Sequence, residues 1–262
     1  MDLLPFDDAA ALAPARVTKE DLPGGGFVLR SPEALQPFAR SIGSWLEHWA
    51  RMTPQAPFLA ERHPDGSWRR LTYGEVRHLV GRIAQSLLNL DLPVHKPVVI
   101  LSDNSIDHAL LMLATMHIGR VACTVSSAYS RLTKDHSKIC AILDALDPAL
   151  VYASDAKVYG PAVKSWGVRC PAVFSTNAHE HAHEHAGDLG PHGALSFQSL
   201  LQAEETETVI DLYHAIRPEW PAKYLLTSGS TGVPKVVVNT HRMLCANQQQ
   251  MAQAWPMLVR YP

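Results

Sequence analysis

Nine consecutive positions gather hydroxyls, glycines and one lysine: Thr227, Ser228, Gly229, Ser230, Thr231, Gly232, Val233, Pro234 and Lys235. Glycine lets a backbone turn tightly and present several N–H groups to one anion, serine and threonine add hydroxyl donors, and lysine supplies a mobile positive charge. Such a donor set suits a polyphosphate. It is not the P-loop of the nucleoside triphosphatases, which needs G-x-x-x-x-G-K-[ST] running into a helix. Here Pro234 precedes Lys235, and Val236, Val237 and Val238 read as a second strand. On composition alone, a Ser/Thr/Gly turn joining two strands is the more ordinary reading.

Other reactive side chains carry less. His179, His181, His183, His185 and His192 crowd the segment 178–193. Histidines at i and i+4 on a helix can share zinc, but no cysteine or hydrophobic frame surrounds these, so they read as a solvated insertion loop and no metal site is assigned. Cys123, Cys140, Cys170 and Cys245 fit neither a CxxC pair nor a disulfide framework and read as buried thiols. His241 opens a helix beside the loop and reads as a cap or packing residue sooner than a ligand contact. Trp45 and Trp49 read as core, and Asn247, Gln248 and Gln249 as a polar helix face.

The elements that must hold the loop follow from periodicity. Pro, Ala and Gly dominate 1–40, an extended arm without chemistry. Ile42, Trp45, Leu46 and Trp49 recur at helical spacing over 41–52, and 57–62 and 68–71 flank a Pro64-Asp65-Gly66 turn as a hairpin. Thr72 and Glu75 have capping-box spacing at the start of a helix that runs to Leu88. Strands are expected at 98–102, 122–125, 150–153 and 172–175, and helices at 106–118, 138–146, 156–166 and 241–255. This alternation predicts an α/β fold, a mostly parallel sheet flanked by helices on both faces.

The chain has 262 residues, a net charge of −2, 47% hydrophobic and 18% charged residues, which describes a globular chain long enough for a sizeable core. Near charge balance argues against nucleic acid as a partner. The longest apolar stretches are too short to span a membrane. The opening residues carry Asp2, Asp7 and Asp8 and no lysine or arginine, unlike a signal peptide, so a cytoplasmic location is expected.

Thr-Ser-Gly-Ser-Thr-Gly-x-Pro-Lys, followed four residues later by Thr240-His241, resembles the signature of the AMP-forming adenylating enzymes, the acyl-CoA synthetases, luciferases and peptide-synthetase adenylation domains. Gly is usual after the lysine, where this chain has Val236. Within that family, Ser41-Ile42-Gly43, Trp49-Ala50, the stretches 105–113 and 125–130, and 239–249 look most like feruloyl-CoA synthases. The resemblance implies that residues 41–262 form the first part of the large AMP-binding domain, an incomplete N-terminal domain of the adenylate-forming fold. It implies a ligase that uses ATP, Mg²⁺ and CoA to convert a small-molecule carboxylic acid, a hydroxycinnamate such as ferulate, first into acyl-AMP and then into a thioester. Thr227, Ser228, Gly229, Ser230, Thr231, Gly232 and Lys235 would hold the β- and γ-phosphates. The family's later motifs and its C-terminal domain, with the catalytic lysine, match nothing here, so no catalytic residue is assigned and the chain is expected to be truncated and inactive alone, with an unpaired apolar sheet edge. Two alternatives stand beside this: a non-catalytic module that binds nucleotide or pairs with another polypeptide, and a ligase for fatty or other aryl acids.

Overall fold

Val98-Val99-Ile100-Leu101 and Leu150-Val151-Tyr152-Ala153 offer no polar side to water, so each must be covered on both faces, and all eight residues are buried. The computed structural model describes residues 12–63, 65–132, 134–167, 169–178, 194–227 and 234–259. In it these runs lie centrally in a seven-stranded sheet. The strands are β5 (Val98–Ile100), β6 (Ala122–Thr124), β7 (Leu150–Asp155), β8 (Ala172–Thr176), β9 (Ala194–Ser196), β10 (Pro221–Leu226) and β11 (Val236–Thr240). Their order is β11-β10-β6-β5-β7-β8-β9, and every neighbouring pair is parallel except β10 and β11.

Strand alternation sends Val98, Ile100, Leu150 and Tyr152 to one face. There they meet α2 (Tyr73–Asn89) and α3 (Ile106–His117) through Val80, Ile83, Leu87, Leu110 and Leu111. Val99, Leu101, Cys123 and Val151 point the other way, onto α5 (Ser137–Leu146) and α6 (Ala156–Trp166) through Ile139, Leu143, Tyr159 and Trp166. Each such buried aliphatic side chain contributes roughly 1.5–3 kcal/mol. The expected α/β fold, a mostly parallel sheet flanked by helices, is therefore the one observed. Among the described residues no helix is long and apolar enough to cross a membrane.

Local chemistry sets the boundaries. Thr72 accepts from the Glu75 N–H at 3.3 Å while the Glu75 carboxylate accepts from the Thr72 N–H at 2.7 Å, a complete capping box at the start of α2. Helix α6 ends at Gly167, whose φ of 87° terminates the helix without a side-chain clash. Strands β3 (Pro57–Arg62) and β4 (Trp68–Thr72) form the expected hairpin.

Three features depart from the sequence reading. Residues 12–40 contain a two-stranded hairpin, β1 (Thr18–Asp21) with β2 (Phe27–Arg30), turned by Gly24 and Gly25 at positive φ. In α1 (Gly43–Met52) the buried positions are Gly43 and Leu46, and Trp45 and Trp49 are only half-buried, because the inward stripe is too narrow for two indoles. A short helix α7 (Glu207–Ala215) precedes β10, buries Val209 in the core and packs Leu212 partly against it. The segment 179–193, which holds the histidine cluster, lies outside the described residues. Among the described strands β11 forms one edge of the sheet, with Val236, Val237 and Val238 each 39–46% exposed.

Candidate functional site

Strand β10 joins the sheet because its aromatic-aliphatic run pairs on both sides. Lys223 and Tyr224 lie beside Ala122 and Cys123 of β6, while Tyr224, Leu225 and Leu226 face Val238, Val237 and Val236 of β11. Since β10 runs parallel to β6, the turn that follows it emerges at the carboxyl edge of the sheet, where open α/β sheets bind ligands. That turn is the stretch 227–235. Its neck is closed by the Thr227 N–H donating to the Lys235 carbonyl at 3.0 Å, with the Thr227 hydroxyl 3.4 Å from the same oxygen. The structure thus brings Thr227 and Lys235 together, both exposed, and Lys235 makes no ion pair with a described residue. Ser228, Gly229, Ser230, Thr231 and Gly232 lie outside the described residues.

Beyond the loop, β11 feeds α8 (His241–Ala254), where the Thr240 hydroxyl caps the Met243 N–H at 3.2 Å. His241 is fully buried, accepts weakly from the Ile42 N–H at 3.5 Å, and donates its own backbone N–H to the Trp220 carbonyl at 3.1 Å. Burial, aided by Arg40, pushes its imidazole down to about 4, so it is a neutral packing group. Asn247 and Gln248 are exposed on the same helix.

The neighbouring strand ends are tied by polar contacts. His108, buried, has Nε2 3.3 Å from the Thr124 hydroxyl and Nδ1 3.2 Å from the Asp103 carbonyl. Asp103 accepts from the Ser127 hydroxyl and pairs with Arg131 at 3.5 Å. Beside the crevice between β5 and β7, where the strand order reverses, polar side chains engage one another. Asp107 binds Arg69 at 3.0 Å and Ser175 at 2.7 Å, and Ser175 meets the Tyr152 hydroxyl at 2.8 Å. The Glu61 carboxylate takes the free Ile106 N–H of α3 at 3.0 Å, the position a phosphate would need. In the 227–235 stretch the sequence carries no carboxylate.

Lys223, which the sequence reading passed over, is half-buried on β10 four residues before Thr227, at a bulge that leaves Ala222 as the extra residue opposite β11. Nothing in an isolated strand sequence signals a bulge. The cysteines are all free; Cys123 and Cys245 are buried as expected, but Cys140 and Cys170 only partly so. Among the described residues no group of three or more His, Cys, Asp or Glu could hold a metal ion.

The sequence matches the AMP-binding enzyme family over residues 46–260. It is 28% identical over 189 residues to the Arabidopsis thaliana protein named 4-coumarate–CoA ligase 4, covering 71% of this chain and 31% of the plant protein. It is 28% identical over 171 residues to tenellin synthetase of Beauveria bassiana, covering 65% of this chain and 4% of the fungal protein. The chain therefore spans less than a third of the curated relatives it matches. In three dimensions it resembles a fatty acyl-adenylate ligase from L. pneumophila, solved with acyl adenylate and pyrophosphate, with a TM-score of 0.60 at 16% identity over 82% of this chain and 32% of that one.

Proposed function

Because the chain belongs to the AMP-binding enzyme family, we propose that it is the phosphate-holding part of an ATP-dependent acid–CoA ligase, in which the 227–235 loop grips the β- and γ-phosphates while a carboxylate attacks the α-phosphate. Acyl-AMP forms, pyrophosphate leaves, and CoA thiol then displaces AMP. The observation that carries this is the hairpin loop at the carboxyl edge of the sheet, pinched at Thr227 and Lys235 and rich in hydroxyl and glycine donors. Thr227, Ser228, Gly229, Ser230, Thr231 and Gly232 would donate to phosphate oxygens, and Lys235 would neutralise charge that grows on the departing pyrophosphate. The loop holds no carboxylate. Mg²⁺ would therefore reach this site with the triphosphate, carried by its phosphate oxygens, and would add to the charge neutralisation by Lys235.

The acid is proposed to be a hydroxycinnamate such as ferulate. The likeness of 239–249 to feruloyl-CoA synthases and the 28% identity to a protein named 4-coumarate–CoA ligase support that choice. The test is ATP–pyrophosphate exchange with ferulate, run on this chain and on a form extended with the remaining sequence of a relative. Ferulate-dependent exchange in the extended form supports the proposal; exchange with fatty acids but not with ferulate overturns the hydroxycinnamate assignment.

A further inference from the structure

Every other buried or half-buried lysine and arginine among the described residues has a partner. Arg69 binds Asp107, Arg77 binds Glu47 and Glu205, Arg82 binds Glu204 and Lys96 binds Asp147; Arg40 and Arg120 donate to backbone carbonyls. The Lys223 ammonium makes no hydrogen bond or ion pair with a described residue, its strand pairing being through the backbone. Placing a cation in a half-dry site without a counter-ion is costly, and burial indeed pulls the Lys223 ammonium below the ordinary lysine range.

Strand alternation puts Leu225 on the same face as Lys223, and the β10–β11 register adds their partners Val237 and Asn239 to that face. Leu225 and Val237 are 41% and 44% exposed, an open apolar strip. At its inner end Lys223 is paired in register with Ala122 of β6 and is close enough to His108 for its charge to help keep that imidazole neutral. At its outer end the strip reaches Thr227 and the loop. Four residues of strand make this run about 13 Å long. The described surface thus has Thr227, the first residue of the proposed phosphate loop, at one end, a flat apolar middle, and at the other a cation with no partner among the described residues.

We propose that Lys223 is the counter-ion for the remote end of the acid substrate: an elongated acid lies along the β10–β11 face, its apolar body on Leu225 and Val237, and sets a second carboxylate or a phenolic oxygen against the Lys223 ammonium. This rests on the acid-activating function proposed above and adds a specificity-determining residue to it. A simple unsubstituted acid of the same length leaves Lys223 unpaired, so the site selects against it.

The test compares cinnamate, 4-hydroxycinnamate and 4-carboxycinnamate, which share one body and differ only at the remote end, by titration calorimetry on the 262-residue chain with Mg·ATP measured in parallel. Wild type is expected to bind at least one of the two substituted acids about 10-fold or more tighter than cinnamate, the scale of a hydrogen bond to a charged group. Which one separates the carboxylate from the phenol. Lys223→Met, which keeps the stem and removes the charge, is expected to level the three acids while Mg·ATP binding stays within about twofold. Equal affinities in wild type, or a preference that survives in Lys223→Met, overturns the assignment. So does failure of all three acids to bind a chain that still binds Mg·ATP, and that outcome leaves the phosphate-loop function standing. Failure of Mg·ATP itself refutes the parent function instead.

Discussion

The backbone N–H of Thr227 and the carbonyl of Lys235 meet at 3.0 Å across the mouth of the 227–235 turn. This bond closes the neck of the turn on a two-stranded stem at the carboxyl edge of the sheet. Lys235 contributes nothing to folding that a described partner would register, since its side chain is exposed and unpaired.

Lys235→Ala is therefore expected to leave the melting temperature nearly unchanged while weakening Mg·ATP binding by about 10- to 100-fold, the loss of one charged contact. Calorimetric titration and a thermal melt on the same preparation check both halves.

Thr72→Ala removes one of the two reciprocal bonds at the start of α2. A loss of about 1 kcal/mol is expected, read as a lower urea midpoint with an unchanged slope.

Gly81 faces Glu205 so closely that an added Cβ would lie 2.5 Å from its carboxyl carbon, and Arg77 holds that carboxylate at 2.9 Å. Gly81→Ala is expected to push the flexible Glu205 carboxylate off Arg77 at a net cost of about 1 kcal/mol, the helix-propensity gain of alanine offsetting part of the overpacking. Adding Glu205→Ala should recover part of that loss, and strict additivity in the double variant would contradict the steric origin.

Three buried histidines, His108, His117 and His241, make stability depend on pH. Burial pushes His117 down to about 3, with Arg77 and His214 adding to it, and His241 down to about 4. Glu47 lies 3.7 Å from His117 but is already engaged by Arg77. All three folded-state values lie below the ordinary histidine value of about 6.5, so the unfolded chain takes up the protons first. The contribution is complete above about pH 6.5 and is lost as pH falls toward 4. Urea midpoints should drop from pH 7 to pH 5, less steeply in His117→Gln; a flat profile would contradict buried neutral histidines.

Much of this architecture was legible in the residues. The central strands announced themselves because fully buried strands read as unbroken aliphatic runs, and the Thr72–Glu75 box because its chemistry is local. The loop was legible as a donor set, and its stem as the strands on either side. What escaped was set by long-range geometry. Helix α7 has too short an apolar stripe to stand out, the hairpin at 18–30 depends on a glycine turn with no buried face, and the bulge at Ala222 that places Lys223 exists only because β11 pairs with β10.

The central claim, that the 227–235 loop holds the terminal phosphates of ATP, is tested most directly by comparing Mg·ATP, AMP and inorganic pyrophosphate as ligands of the 262-residue chain in one calorimetric series. ATP binding clearly tighter than AMP, displaced by pyrophosphate and weakened about 10- to 100-fold in Lys235→Ala, is the expected result. Equal binding of ATP and AMP, or ATP binding indifferent to pyrophosphate and to Lys235, would contradict it.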